Sequence, residues 1–191
     1  MATAVIPFRS GGKSRLPPEL RVEAALAMLG DVLEAAVAAV DRVRLVTDDG
    51  AASVMAAEFG VELVADPGGG QGSAVIAGLS GVVGPCLVVN ADLPCATPEA
   101  LTRLAACGAA LVAAADGTTN ALSLPAPAAF APLYGAGSAA RFESAGLTRV
   151  SIPELEQDVD TLADLEQLTL PVGRRTTLVL NQHNLLLALR S

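Results

Sequence analysis

Ala4-Val5-Ile6-Pro7-Phe8-Arg9-Ser10-Gly11-Gly12-Lys13-Ser14-Arg15 decides how this chain is read. Thr3–Phe8 is apolar and short enough to be a buried strand. It ends in a glycine-rich loop with three cations, and a helical pattern follows over Pro17–Val40, with Leu20, Ala24, Ala27, Met28, Val32 and Ala35 recurring on one face. Strand, glycine loop, helix is the opening unit of an α/β protein. Adjacent glycines let backbone N–H groups approach phosphate oxygens, and a helix start adds partial positive charge. Arg9, Lys13 (the only lysine) and Arg15 supply the remaining neutralisation, so Arg9, Gly11, Gly12, Lys13 and Arg15 form a candidate polyphosphate site. The glycines stand immediately before the lysine, so this is not a Walker A loop. A solvated basic turn has the same composition, and both readings stand at this point.

The alternation continues along the chain. Arg42–Thr47, Val61–Ala65, Cys86–Asn90 and Ala110–Ala115 read as strands, and Ala51–Phe59, Ser73–Val83 and Thr97–Cys107 as the helices between them. Thr97 is the N-cap of the last, with Pro98 at its first position. Cys86–Asn90 is apolar without a period, the pattern of a strand buried on both faces. The second half adds a strand over Asn120–Leu124, a short helix over Gly137–Ser144, a strand over Leu147–Ile152 and a helix over Thr161–Leu168 with a Thr161/Asp164 capping box. Repeated β-α-β units predict a mostly parallel sheet covered by helices on both sides, a three-layer α/β/α sandwich. No repeat or long linker divides the chain, so residues 1–191 are expected to form one domain, with 173–191 as a helical tail.

At 191 residues with a net charge of −8 and a pI of about 4.5, a nucleic-acid surface is not expected. No apolar run reaches the roughly 18 residues of a membrane span. Met1-Ala2-Thr3 leads straight into the first strand, so no leader is expected. Three cysteines without metal-ligand spacing fit a reduced, cytoplasmic protein, with Cys86 and Cys107 as small buried hydrophobes and Cys95 in a loop. His183, the one histidine, is expected to be structural or solvated. The tail's Leu185-Leu186-Leu187 is suited either to cap the core or to dock on a second copy, making a homodimer.

Ligands of open parallel sheets bind at the C-terminal ends of the strands. Besides the basic loop, two such ends carry acids. Asn90-Ala91-Asp92-Leu93-Pro94 sets a carboxylate directly beyond a buried strand, where it suits Mg²⁺ or caps a turn. In Asp158-Val159-Asp160-Thr161, extended alternation sends both acids to one side and Val159 to the other. Acids and a lysine at separate strand ends point to metal-assisted phosphoryl or nucleotidyl transfer. No Ser/His/Asp triad can be drawn.

IPFRSGGKSRL (6–16), VNADLP (89–94), GTTNAL (117–122), YGAGSAARF (134–142) and DVDTLADL (158–165) follow one another as in the 2-phospho-L-lactate guanylyltransferase family of coenzyme F-420 biosynthesis, which this chain resembles over roughly residues 4–175. The resemblance implies a nucleotide-diphospho-sugar transferase-like fold. It also implies transfer of GMP from GTP onto 2-phospho-L-lactate, phosphoenolpyruvate or 3-phosphoglycerate, with release of pyrophosphate. By the same resemblance Lys13 and the Gly11-Gly12 backbone hold the triphosphate, Arg15 supports its outer phosphates, and Asp92 and Asp160 hold Mg²⁺ with Asp158 beside them. Thr118, Thr119 and Asn120 would take the acceptor's carboxylate, and Gly135, Gly137, Ser138 and Arg141 its phosphate. Where the family carries an L-N-A-type segment near the base, this chain reads Gly70-Gln71-Gly72-Ser73-Ala74, which leaves Gly72 and Ser73 as base-side contacts. GQGSAVIAGL (70–79) also resembles stretches of transferases that use CTP. A molybdopterin or sugar-phosphate nucleotidyltransferase, and a non-catalytic nucleotide-binding domain, are the alternatives.

Overall fold

The computed structural model describes residues 2–9 and 18–183. Seven strands form one sheet: β1 (Thr3–Pro7), β2 (Arg42–Val46), β3 (Glu62–Val64), β4 (Cys86–Val89), β5 (Ala110–Ala113), β6 (Thr119–Leu124) and β7 (Thr148–Arg149), in the order β3-β2-β1-β4-β6-β5-β7. β3, β2, β1 and β4 are mutually parallel, β5 pairs with β7 in parallel, and β6 runs antiparallel to both neighbours. The sheet is thus mixed with mostly parallel strands. Asn120–Leu124 lies within the reversed strand, whose direction its composition does not announce.

Side-chain alternation along the strands builds the layers. Ala4 and Ile6 of β1 face one apolar cluster, with α1 (Pro18–Ala39), α2 (Gly50–Phe59), α4 (Pro98–Ala106) and Leu155 of α6 (Pro153–Glu156). Val5 faces the other, with α3 (Gln71–Leu79) and α5 (Ser138–Ser144). The predicted face of α1 is buried at all six positions. β4 is buried throughout, as expected of a strand covered on both sides. α3 lies so close to the sheet that a Cβ on Gly78 would stand 2.3 Å from Val5 Cγ1, so glycine is required there for the approach.

A third cluster joins Leu20, Ala24 and Met28 of α1 to Val159, Leu165 of α7 (Leu162–Gln167) and Leu180 of α8 (Arg174–Gln182). The buried Asp31 carboxylate of α1 accepts from the Arg175 and Thr176 backbone N–H groups, both at 2.9 Å, and so closes the start of α8 from another helix. Gly173 N–H donates to the Pro94 carbonyl at 2.7 Å.

Several expectations need correcting. Cys107 is exposed, because it follows the last turn of α4 and not its buried face; Cys86 and Cys95 are buried. α3 starts two residues earlier than Ser73 and stops at Leu79, and Gly81 in the left-handed region (φ 71) lies just beyond its end. β7 is only two residues long. The Thr161/Asp164 capping box is present. α8 covers the described part of the tail helix, and 184–191, including Leu185–Leu187, lie outside the described residues. His183 follows α8 and pairs with Glu23 at 2.9 Å on the surface, in keeping with a structural or solvated residue. Among the described residues, no helix is long and apolar enough to cross a membrane.

Candidate active site

The ends of β1, β3 and β4 open on a cavity of about 250 Å³ lined by Arg9, Asp66, Gln71, Asn90, Asp92 and Asp160, with Pro7, Phe8, Ala25, Ala74 and Ala91 as its apolar wall. Three groups from separate stretches of sequence therefore converge: Arg9 beyond β1, Asp92 beyond β4 and Asp160 ahead of α7. Gly11, Gly12, Lys13 and Arg15 lie outside the described residues.

The acids are set by main chain. Val159 N–H donates to the Asp92 carbonyl at 3.1 Å, which pins the second acidic segment to the first. Val159 is wholly buried in the third cluster, while Asp158 and Asp160 on either side of it are only partly covered, as alternation requires. The capping box holds the segment's other end, with the Asp164 carboxylate accepting from both Asp160 N–H and Thr161 N–H. Asp158 titrates well above the usual carboxylate range, at about 6: burial disfavours its charge, and Asp92 and then Asp160 repel it. A bond from Asn120 Nδ2, at 3.3 Å to Asp158 Oδ1, partly offsets this.

This donor set fits a magnesium ion. The repulsion that Asp92 and Asp160 exert on Asp158 is what a divalent cation relieves, and carboxylate oxygens are its preferred ligands. Among the described residues no group of three or more acids, histidines or cysteines is gathered closely enough to hold a metal ion by itself. Mg²⁺ typically takes one or two protein carboxylates and completes its shell with phosphate oxygens and water, so Asp92 and Asp160 are the residues that would hold it here. Cys86 and Cys95 offer no competing nucleophile, since burial pushes both thiols up to about 11.

The positions expected on the acceptor side are brought together, but not into this cavity. Thr118 N–H and Oγ1 bond Asp116 Oδ1 in the β5–β6 turn. The buried hydroxyls of Thr119 and Ser138 bond each other at 3.0 Å. Asn120 also donates to the Leu155 carbonyl, and its buried Oδ1 has no donor among the described residues. Arg141 does not present an open anion site: its guanidinium donates to the carbonyls of Leu133, Tyr134 and Ala136. It thereby ties down a loop in which Gly135 and Gly137 both have positive φ, 110° and 69°. On the base side, Gly72 stands in the first turn of α3, where a Cβ would meet Pro132 Cβ at 2.7 Å, and Ser73 follows it.

Three cavity residues escaped the sequence reading. Asp66 reads only as part of a loop over 66–72, although a carboxylate beyond a strand with a proline close behind is the signal that marked Asp92. Gln71 and Asn90 bond each other, Gln71 Nε2 donating to Asn90 Oδ1 at 2.7 Å, while Asn90 Nδ2 donates to the Thr119 carbonyl. That carbonyl can only accept, so it fixes the orientation of both amides.

Comparison with known proteins agrees with this geometry. The MobA-like NTP transferase domain model matches residues 18–152. The phosphoenolpyruvate guanylyltransferase of Streptomyces coelicolor is 37% identical over 93% of this chain and 94% of its own length. That of Geodermatophilus obscurus is 38% identical over 86% of this chain and 81% of its own. In three dimensions, a structure from Desulfovibrio desulfuricans assigned to the nucleotide-diphospho-sugar transferases superposes with a TM-score of 0.71 at 14% identity, covering 98% of this chain and 97% of that one, which shows the shared fold. With strand order, cavity and sequence in accord, the chain belongs to the phosphoenolpyruvate guanylyltransferase family of MobA-like nucleotidyltransferases.

Proposed function

We propose that this chain transfers GMP from GTP to the phosphate of a small phosphorylated carboxylic acid, with phosphoenolpyruvate the first candidate and 2-phospho-L-lactate and 3-phosphoglycerate the others. An acceptor phosphate oxygen attacks the α-phosphorus, a new P–O–P link forms, the bond between the α-phosphorus and its bridging oxygen to the β-phosphate breaks, and pyrophosphate leaves. The nucleophile is already ionised at neutral pH, so no general base is needed. The observation that carries the proposal is the convergence of Arg9, Asp92 and Asp160 on one cavity at the strand ends.

Asp92 and Asp160, with Asp158 beside them, would hold Mg²⁺, which supplies charge neutralisation on the phosphate oxygens. Lys13, Arg15 and the Gly11-Gly12 backbone would hold the triphosphate with Arg9, and Gly72 and Ser73 would border the base. Thr118, Thr119, Asn120, Gly135, Gly137 and Ser138 would shape the acceptor side, with Arg141 fixing the loop that carries the glycines. The intended product is a guanylylated phospho-acid on the route to coenzyme F-420, made in the cytoplasm.

Pyrophosphate release, measured with GTP or CTP against a panel of phospho-acids with Mg²⁺ present and absent, tests the proposal. Turnover is expected with GTP and phosphoenolpyruvate, and its loss with Asp92→Ala. Turnover confined to molybdopterin or a sugar phosphate, or nucleotide-dependent melting shifts without turnover of any acceptor, would overturn it.

A further inference from the structure

Arg9 reaches the cavity already gripped. Its Nε and Nη2 donate to the two oxygens of Asp66, Nη2 at 2.8 Å to Oδ1, as a two-pronged fork. The Asp66 side chain is 1% exposed and that of Arg9 43%, so the carboxylate is covered and the guanidinium keeps an outward face. The same Oδ1 accepts from Gly68 N–H at 2.9 Å, which joins the anchor to the turn that opens α3 and places Gln71 in the cavity. Nη1 of Arg9 takes no part in the fork, and Asp48 adds only a weaker electrostatic pull on the guanidinium.

We propose that Asp66 is the positioning residue for Arg9, holding its guanidinium so that the Nη1 edge meets the phosphates of a bound nucleoside triphosphate. An arginine beyond the end of a strand would otherwise spread over many rotamers, and ordering it would cost binding energy each time a nucleotide arrived. The fork removes that cost beforehand. Asp66 is itself held ionised: Arg9 keeps its carboxyl below the usual carboxylate range, with Gly68 N–H assisting against burial.

The sign of one measurement separates positioning from simple electrostatics. Asp66 is a negative charge beside a site for a polyanion. If charge alone mattered, Asp66→Asn would tighten GTP binding, whereas loss of the fork weakens it. The inference rests on triphosphate binding at this cavity, as proposed above.

The experiment is a double-mutant cycle on the GTP dissociation constant of the full chain, with Asp66→Asn, Arg9→Ala and both together. Asp66→Asn is expected to weaken binding about tenfold on its own and by less than about twofold in the Arg9→Ala background. Unchanged or tighter binding in Asp66→Asn, or an equal loss without Arg9, overturns the proposal; the second result would mark Asp66 as a support of the turn alone. Arg9→Lys, which keeps the charge and loses the fork, serves if Asp66→Asn fails to fold, and wild-type affinity in Arg9→Lys also overturns it. A wild-type chain that binds CTP and not GTP sinks the guanine reading only, and the cycle is then run with CTP. A chain that binds neither overturns both.

Discussion

Val159 gives its N–H to the Asp92 carbonyl and its side chain to the cluster beneath α1 and α8. One residue thus fixes the spacing between two acidic segments far apart in sequence. Val159→Ala is expected to lower stability by about 1–3 kcal/mol through the cavity it leaves. It should also depress turnover by more than Leu165→Ala, which empties the same cluster without standing between Asp158 and Asp160. Turnover and urea unfolding of the two variants, compared at matched stability loss, check this.

Asp158 should make stability fall with pH. Its pKa rises from 3.8 to about 6 on folding, so between those values the folded chain binds more protons than the unfolded one. The protonated form is favoured by the fold, and that stabilisation is lost as pH climbs through about 6. Asp158→Asn, which keeps an oxygen for Asn120, is expected to melt above wild type at pH 7 and level with it at pH 4. Melting curves at the two pH values check the sign.

Asp31 closes α8 from a distance. Asp31→Ala leaves the buried Thr176 N–H and the Arg175 N–H without their acceptor, at a cost of about 1–3 kcal/mol for each donor left buried. The expected result is early amide exchange and proteolytic nicking in 173–183, ahead of global unfolding. Exchange protection equal to wild type there would contradict it.

Arg141→Lys keeps the charge and loses the fork that gathers the Leu133, Tyr134 and Ala136 carbonyls. The loop is then expected to loosen, raising the KM for the phospho-acid several-fold while GTP affinity stays as it was. Steady-state kinetics varying each substrate in turn separate the two.

Much of this was readable beforehand, for local reasons. β1 and β4 announce themselves because a strand covered on both faces must be apolar throughout, and Asp92 stands out because it follows such a run. The face of α1 and the capping box at Thr161 are likewise written in spacing. What resisted reading depends on partners distant in the chain. Asp66 reads as one residue of a loop until Arg9 is seen on it, and Arg141 reads as a cation for the acceptor phosphate until three carbonyls are found around it. Cys107 has the composition of a core residue, but its place just past a helix end leaves it in solvent.

The reversal of β6 has a consequence for what this protein can become. A strand laid head-to-tail against its neighbours delivers its first residues, and not its last, to the rim where the others end. Asn120 thereby comes beside Asn90, whose N–H it accepts at 2.9 Å. The rim gains an entrance as well as exits, and with it a short hairpin whose tip can change length or lettering without disturbing the parallel half of the sheet. Under the proposed function, that tip is where a different acceptor could be met while the nucleotide side stays as it is.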